Sequence, residues 1–137
     1  MAMPVKYRQR LLDQAQGQMI VTMYQDPCLF IYPLPEWEIV EKRLSELSTL
    51  DDTAQAIRRL MLGHATDVEM DSHGRLLLPP LLRELAQVEK NLMLIGQGER
   101  FEVWDERTWT EQRQVWRDKA SRLDKSQLSP ELKALKF

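Results

Sequence analysis

The chain has 137 residues, 43% hydrophobic and 29% charged, with a formal net charge of −2. That length supports one core, or two small units sharing one, and the charge balance excludes a chain coated in positive charge as many non-specific nucleic-acid binders are. No apolar run is long enough to span a bilayer, no signal-peptide pattern opens the chain, and the single Cys28 has no partner for a disulfide or a zinc site, so a cytosolic protein without membrane, metal or cofactor is expected.

In chain order, Met1 to Pro4 leads into "VKYRQRLL", a short helix with Tyr7, Leu11 and Leu12 on one side and Gly17 as its stop. "QMIVTM" reads as a buried strand, "QDP" as a turn and "CLFIY" as a second strand. "PLPEWEIVEKRLSEL" follows as a helix. Pro35 suits its first turn, Glu36 and Glu38 favour its positive end, and Trp37, Val40, Leu44 and Leu47 form one apolar stripe. "STLDDTAQAIRRLMLGHATD" predicts a connecting helix capped by Thr53 or Asp52, apolar at Ile57, Leu60 and Met61, and ended by Gly63. Arg58 and Arg59 fall on its surface or at a subunit contact.

The order then repeats. "DVEM" and "RLLL" flank a turn at Asp71 to Gly74 as a hairpin, and "PPLLREL" resembles "PVKYRQR". "NLMLIG" is a strand, "QGE" a turn and "FEVW" the partner strand. "DERTWTEQRQVWRDKASRL" is a helix with Asp105 as its cap and Trp109, Trp116 and Leu123 on one side. The tail "SQLSPELKALKF" starts one more short helix at Ser129 and Pro130, its Leu132 and Leu135 able to dock on the protein or on a neighbouring subunit. Pro4 matches Pro79 and Arg8 matches Arg83 at an offset of 75, whereas Tyr32 matches Trp104 and Trp37 matches Trp109 at 72. Shared order and shared spacing together predict an internal duplication. The expected division is a first module over 1–50, a connecting helix over 51–66, a second module over 67–124 and a tail helix over 125–137.

The turn at Asp71 carries the clearest chemistry. Asp is favoured at the first position of a type I turn, and Gly74 suits a final position of positive φ. Arg75 then stands at the mouth of the hairpin. Either Asp71 and Arg75 pair across the turn and hold it, an exposed pair worth about 0–1 kcal/mol, or Arg75 reaches phosphates or a guanine edge, with His73 adding a second contact. Spacing alone leaves both open. Lys6, Arg8 and Arg10 in "VKYRQR" either support phosphate contacts or form a solvated helix face. Met61, Trp37, Trp109 and Trp116 read as core or interface anchors.

Nothing supports catalysis. Cys28 has only His64 and His73 as histidines elsewhere, "GQGER" is a hairpin turn with two glycines, and Asp51 and Asp52 read as helix capping.

"DSHGRLLLPPLLREL", followed by strand, turn, strand and "WDERTW", resembles the MraZ family of bacterial transcriptional regulators, as do "PCLFIYPLPEWEIVEKRLSEL" and "RRLMLGHATDVEMD". The match runs over essentially the whole chain. The resemblance implies an α+β fold of two tandem SpoVT/AbrB-like modules, whose swapped hairpins intertwine into a small β-barrel with flanking helices. It implies sequence-specific binding to double-stranded DNA at direct repeats in the promoter of the division and cell-wall gene cluster. It implies a ring-shaped homo-oligomer, nucleoid-associated in the cytoplasm, and no enzyme activity. The family's Asp-x-x-Gly-Arg loop carries over to Asp71, Gly74 and Arg75 alone. Aligning Pro4 with Pro79 sets Met1 opposite Leu76, so the first module is expected to be truncated, its own loop hairpin absent and one sheet edge left unpaired. An oligomeric scaffold that has lost DNA binding is the alternative reading.

Overall fold

A computed structural model describes residues 1–122 and 125–135. They fall into two compact units, 1–105 and 106–137. The first unit contains helix α1 (Val5–Ala15), strands β1 (Gln18–Thr22) and β2 (Cys28–Pro33), helices α2 (Leu34–Ser45) and α3 (Asp52–His64), strand β3 (Thr66–Glu69), helix α4 (Pro80–Leu85), and strands β4 (Leu92–Gly96) and β5 (Phe101–Asp105). The strands make one antiparallel sheet in the order β3-β1-β2-β5-β4. This is the expected α+β fold, with one difference: the sheet is open, not closed into a barrel. Closure would need β3 and β4 to meet, and they form its two edges.

Side chains alternate between the faces of a strand, which sorts this sheet cleanly. Met19, Val21, Leu29, Ile31, Phe101 and Val103 join Met3, Leu11, Leu76, Leu78 and Leu82 in the main core. The other face presents Tyr32, whose ring meets Trp37 of α2 at 5.5 Å, and Thr22, whose buried hydroxyl donates to the Met61 carbonyl of α3 at 2.6 Å. β2 is buried at every position because both of its faces are covered. Of the stripe expected on α2, Trp37 and Leu44 are buried and Leu47 is exposed.

The duplication is written into the backbone as a pseudo-twofold axis. The expected offset of 75 pairs Met1 with Leu76, and these two residues exchange hydrogen bonds, Met1 N to Leu76 O at 2.8 Å and Leu76 N to Met1 O at 2.7 Å. The expected offset of 72 pairs Phe30 with Glu102, and these stand opposite each other where β2 meets β5. Equivalent residues therefore face each other across the axis at both places. The symmetry fails at the edges. β3 covers the outer edge of β1, whose Met19–Thr22 are buried, whereas no described strand covers the outer edge of β4, which is half-buried from Leu92 to Ile95 and exposed at Gly96.

Three local expectations need correction. "RLLL" is not a strand laddered to "DVEM": the bonds between them stop at the turn, where Asp71 N donates to Arg75 O at 2.9 Å. Beyond it the segment pairs with the start of the chain through the Ala2–Arg75 bridge, while β3 turns to β1. Leu76 and Leu78 still face inward, with Leu77 82% exposed between them. The cap of α3 is Asp51, whose carboxylate accepts from Thr53 N and Ala54 N, in place of Asp52 or Thr53. α3 also runs through Gly63 to His64, because Gly63 keeps helical geometry and the chain leaves the helix at Ala65 on its way into β3. α1 stops at Ala15 just before Gly17, with Gln16 in the left-handed conformation.

The second unit contains helix α5 (Glu106–Ser121), a 3-10 turn at Lys125–Gln127 and helix α6 (Pro130–Ala134). Trp109 and Trp116 meet edge to face at 5.3 Å, as their seven-residue spacing on one helix side predicts. Leu123, expected on the same side, lies outside the described residues. Ser129 caps α6, its hydroxyl accepting from Leu132 N at 3.3 Å, and Leu132 and Leu135 are exposed. Asp105, expected to cap α5, accepts from Glu89 N at 3.0 Å. No helix among the described residues is long and apolar enough to cross a membrane.

Candidate nucleic-acid interface

The loop Asp71–Arg75 is held by its first residue. Asp71 Oδ1 accepts from His73 N at 2.8 Å and from Arg75 N at 2.9 Å, and the Asp71 carbonyl accepts from Gly74 N at 3.0 Å. One exposed carboxylate thus satisfies two backbone donors that a tight turn would otherwise leave to water. The Arg75 amide, with the His73 amide behind it, holds the Asp71 carboxyl below its usual range. Gly74 has φ +75°, a left-handed conformation that side chains with a Cβ disfavour.

Asp71 spends its carboxylate on backbone amides, and no ion pair to Arg75 forms. The guanidinium of Arg75 makes no hydrogen bond or ion pair with any described residue and stands exposed at the loop's end. His73 is exposed beside it. An arginine fixed at its backbone and free at its tip has five donors to offer a phosphate or a base edge.

Of the basic residues on α1, Arg8 joins this loop and Lys6 does not. Arg8 Nε donates to the Met3 carbonyl at 2.8 Å, and its stem lies against Gly74. Lys6 is exposed with Nζ 4.9 Å from the centroid of the Tyr7 ring, which itself packs edge-on against Phe101. Arg10 reaches the Gly98 carbonyl in the β4–β5 turn at 3.4 Å. The extended start of the chain backs the loop: Met3 N donates to Gly74 O at 2.7 Å.

Sequence reasoning passed over Arg100 and Glu102. The Arg100 guanidinium lies 3.9 Å from the Phe30 ring centroid, donates to Tyr32 Oη at 2.9 Å and pairs with Glu102 at 3.4 Å; Glu102 also accepts from Trp104 Nε1 at 3.1 Å. The only signal was a glutamate inside the apolar strand "FEVW". This cluster satisfies a polar pair on the axis and has a structural role. Cys28, opposite Trp104, is buried, and burial first, then Glu102 and Asp26, pushes its thiol up to about 12, which leaves no thiolate for nucleophilic chemistry at neutral pH. Among the described residues no group of His, Cys, Asp and Glu is placed to hold a metal ion.

Comparison with known proteins agrees with this layout. The family described as "MraZ protein, putative antitoxin-like" matches residues 1–60 and again 61–128, one match for each repeat. A protein named Transcriptional regulator MraZ from Methylococcus capsulatus is 43% identical over 137 residues, all of this chain and 90% of its own length. Its namesakes from Thioalkalivibrio sulfidiphilus and Citrobacter koseri are 46% and 49% identical, over 85% and 82% of this chain and 77% and 74% of their own lengths. These are regulators by name, in keeping with the expectation of a non-enzymatic protein. Two family matches that together run over residues 1–128, and relatives this similar over most of the chain, establish that it belongs to the MraZ family.

Proposed function

We propose that this protein regulates transcription by binding double-stranded DNA, and that the Asp71–Arg75 loop is its reading head. Arg75 meets base edges, His73 and Lys6 add contacts, and Asp71 and Gly74 shape the loop. The targets are direct repeats in the promoter of the division and cell-wall gene cluster. A ring-like homo-oligomer at the nucleoid lets neighbouring subunits engage successive repeats. The observation that carries this reading is the free Arg75 guanidinium on a backbone locked by Asp71. A cation that merely stabilised its own turn would be paired within it.

The net charge of −2 fits a reader of sequence better than a coat for DNA, since phosphate contacts alone give affinity without discrimination. The test is binding to a direct-repeat duplex and to a shuffled duplex of the same composition across a salt series. The expected result is preference for the repeats, with Arg75→Ala losing roughly 1–3 kcal/mol of discrimination. Equal binding to both duplexes contradicts sequence-specific reading, and assembly without any binding leaves an oligomeric scaffold.

A further inference from the structure

Arg8 touches the loop with its stem and Nε. A Cβ on Gly74 would stand 2.2 Å from Arg8 Nε and 2.5 Å from Cδ, so these atoms occupy the space a side chain at Gly74 would need. The same Nε donates to the Met3 carbonyl, and the Met3 amide donates to the Gly74 carbonyl. Arg8, Met3 and Gly74 therefore form a closed set of contacts joining the first helix of one repeat to the loop of the other. The terminal nitrogens of Arg8 make no hydrogen bond with any described residue, so they do nothing to hold this set together.

We infer that Arg8 is a positioning residue for DNA reading: through Met3 and Gly74 it sets where the loop stands, and so where Arg75 points. This rests on the loop being the DNA interface. The competing role for the same cation is a phosphate contact through its terminal nitrogens. The two roles use different atoms and can be separated. Glutamine carries an N–H donor as many bonds from Cα as the arginine Nε, without charge; lysine keeps the charge but has a carbon there.

The experiment compares Arg8→Gln, Arg8→Lys and the unaltered chain, each checked for an unchanged thermal melt. Amide chemical shifts of His73, Gly74 and Arg75 and hydrogen exchange at the Met3 amide are measured without DNA. Preference for repeat over shuffled duplex and the salt dependence of binding are measured with it. Arg8→Gln is expected to keep the loop shifts, the preference and the salt slope. Arg8→Lys is expected to move the loop shifts, speed Met3 exchange and reduce the preference at least about fivefold. Should Arg8→Lys melt early, Arg8→Met, which keeps the length of the stem but puts a carbon where Nε stands, is expected to give the same loop shifts. Unmoved loop amides in Arg8→Lys overturn the inference, as does a loss of about one unit of salt slope in Arg8→Gln, the mark of a phosphate contact. An unaltered chain with no preference for repeats defeats the DNA reading alone, because the loop shifts still decide what Arg8 does.

Discussion

Asp71 shows how much a single side chain can fix. Its Oδ1 accepts from two backbone amides, and its carbonyl caps a third, so the loop is shaped by the residue that opens it. Those bonds favour the ionised carboxylate, which lowers its pKa from the ordinary 3.8. A lowered folded-state value means that the contribution to stability is fully present above 3.8 and is lost as pH falls through the lower, folded value. The amide resonance of Arg75 should accordingly show a titration step below 3.8. A midpoint at or above 3.8 in a pH series of nitrogen–proton spectra would mean that Asp71 does not organise the loop.

Among the elements, α3 is tied to the sheet through a buried hydroxyl. Thr22 donates to the Met61 carbonyl at 2.6 Å inside the protein, and Thr22→Val keeps the shape while leaving that acceptor unpaired. A loss of roughly 1–3 kcal/mol in urea unfolding is expected, and an unchanged midpoint would show that the carbonyl finds water. Strands and helices at this scale were largely legible in the sequence. "CLFIY" lies where an unbroken apolar run between turns puts it, and Trp37 sits on the face its spacing gives. The misreadings share a cause. Asp51, Asp52 and Thr53 are all competent caps, and the choice depends on where the chain arrives from α2. "RLLL" has the alternation of a strand, but its backbone partners are Met1 and Ala2, far away in sequence. The turn at Asp71 and the place of Arg75 at its end could be read from residue types. That Arg8 would lie on Gly74 could not, because the contact exists only once the repeats are folded around each other.

At the level of the whole molecule, two repeats share one core. Met3 and Leu11 from the first and Leu76, Leu78 and Leu82 from the second pack together, and the axis passes between the pairs Met1–Leu76 and Phe30–Glu102. Neither half of residues 1–105 could bury its apolar face alone, so this unit should unfold in one step. Probes placed in β1 and in β5 are expected to give coincident urea transitions, and separated transitions would mean that each repeat holds a core of its own. The same sharing places the loop of the second repeat on a support built by the first. The loop proposed to read DNA is therefore a property of the pair, and the duplication contributes geometry to it as well as mass. The measurement that tests this most directly is a titration of the labelled chain with a direct-repeat duplex, followed amide by amide. The account predicts that the largest shifts fall on Asp71–Arg75 and on the Met1–Met3 segment behind it. Shifts confined to α2 or to the second unit, with the loop silent, would contradict it.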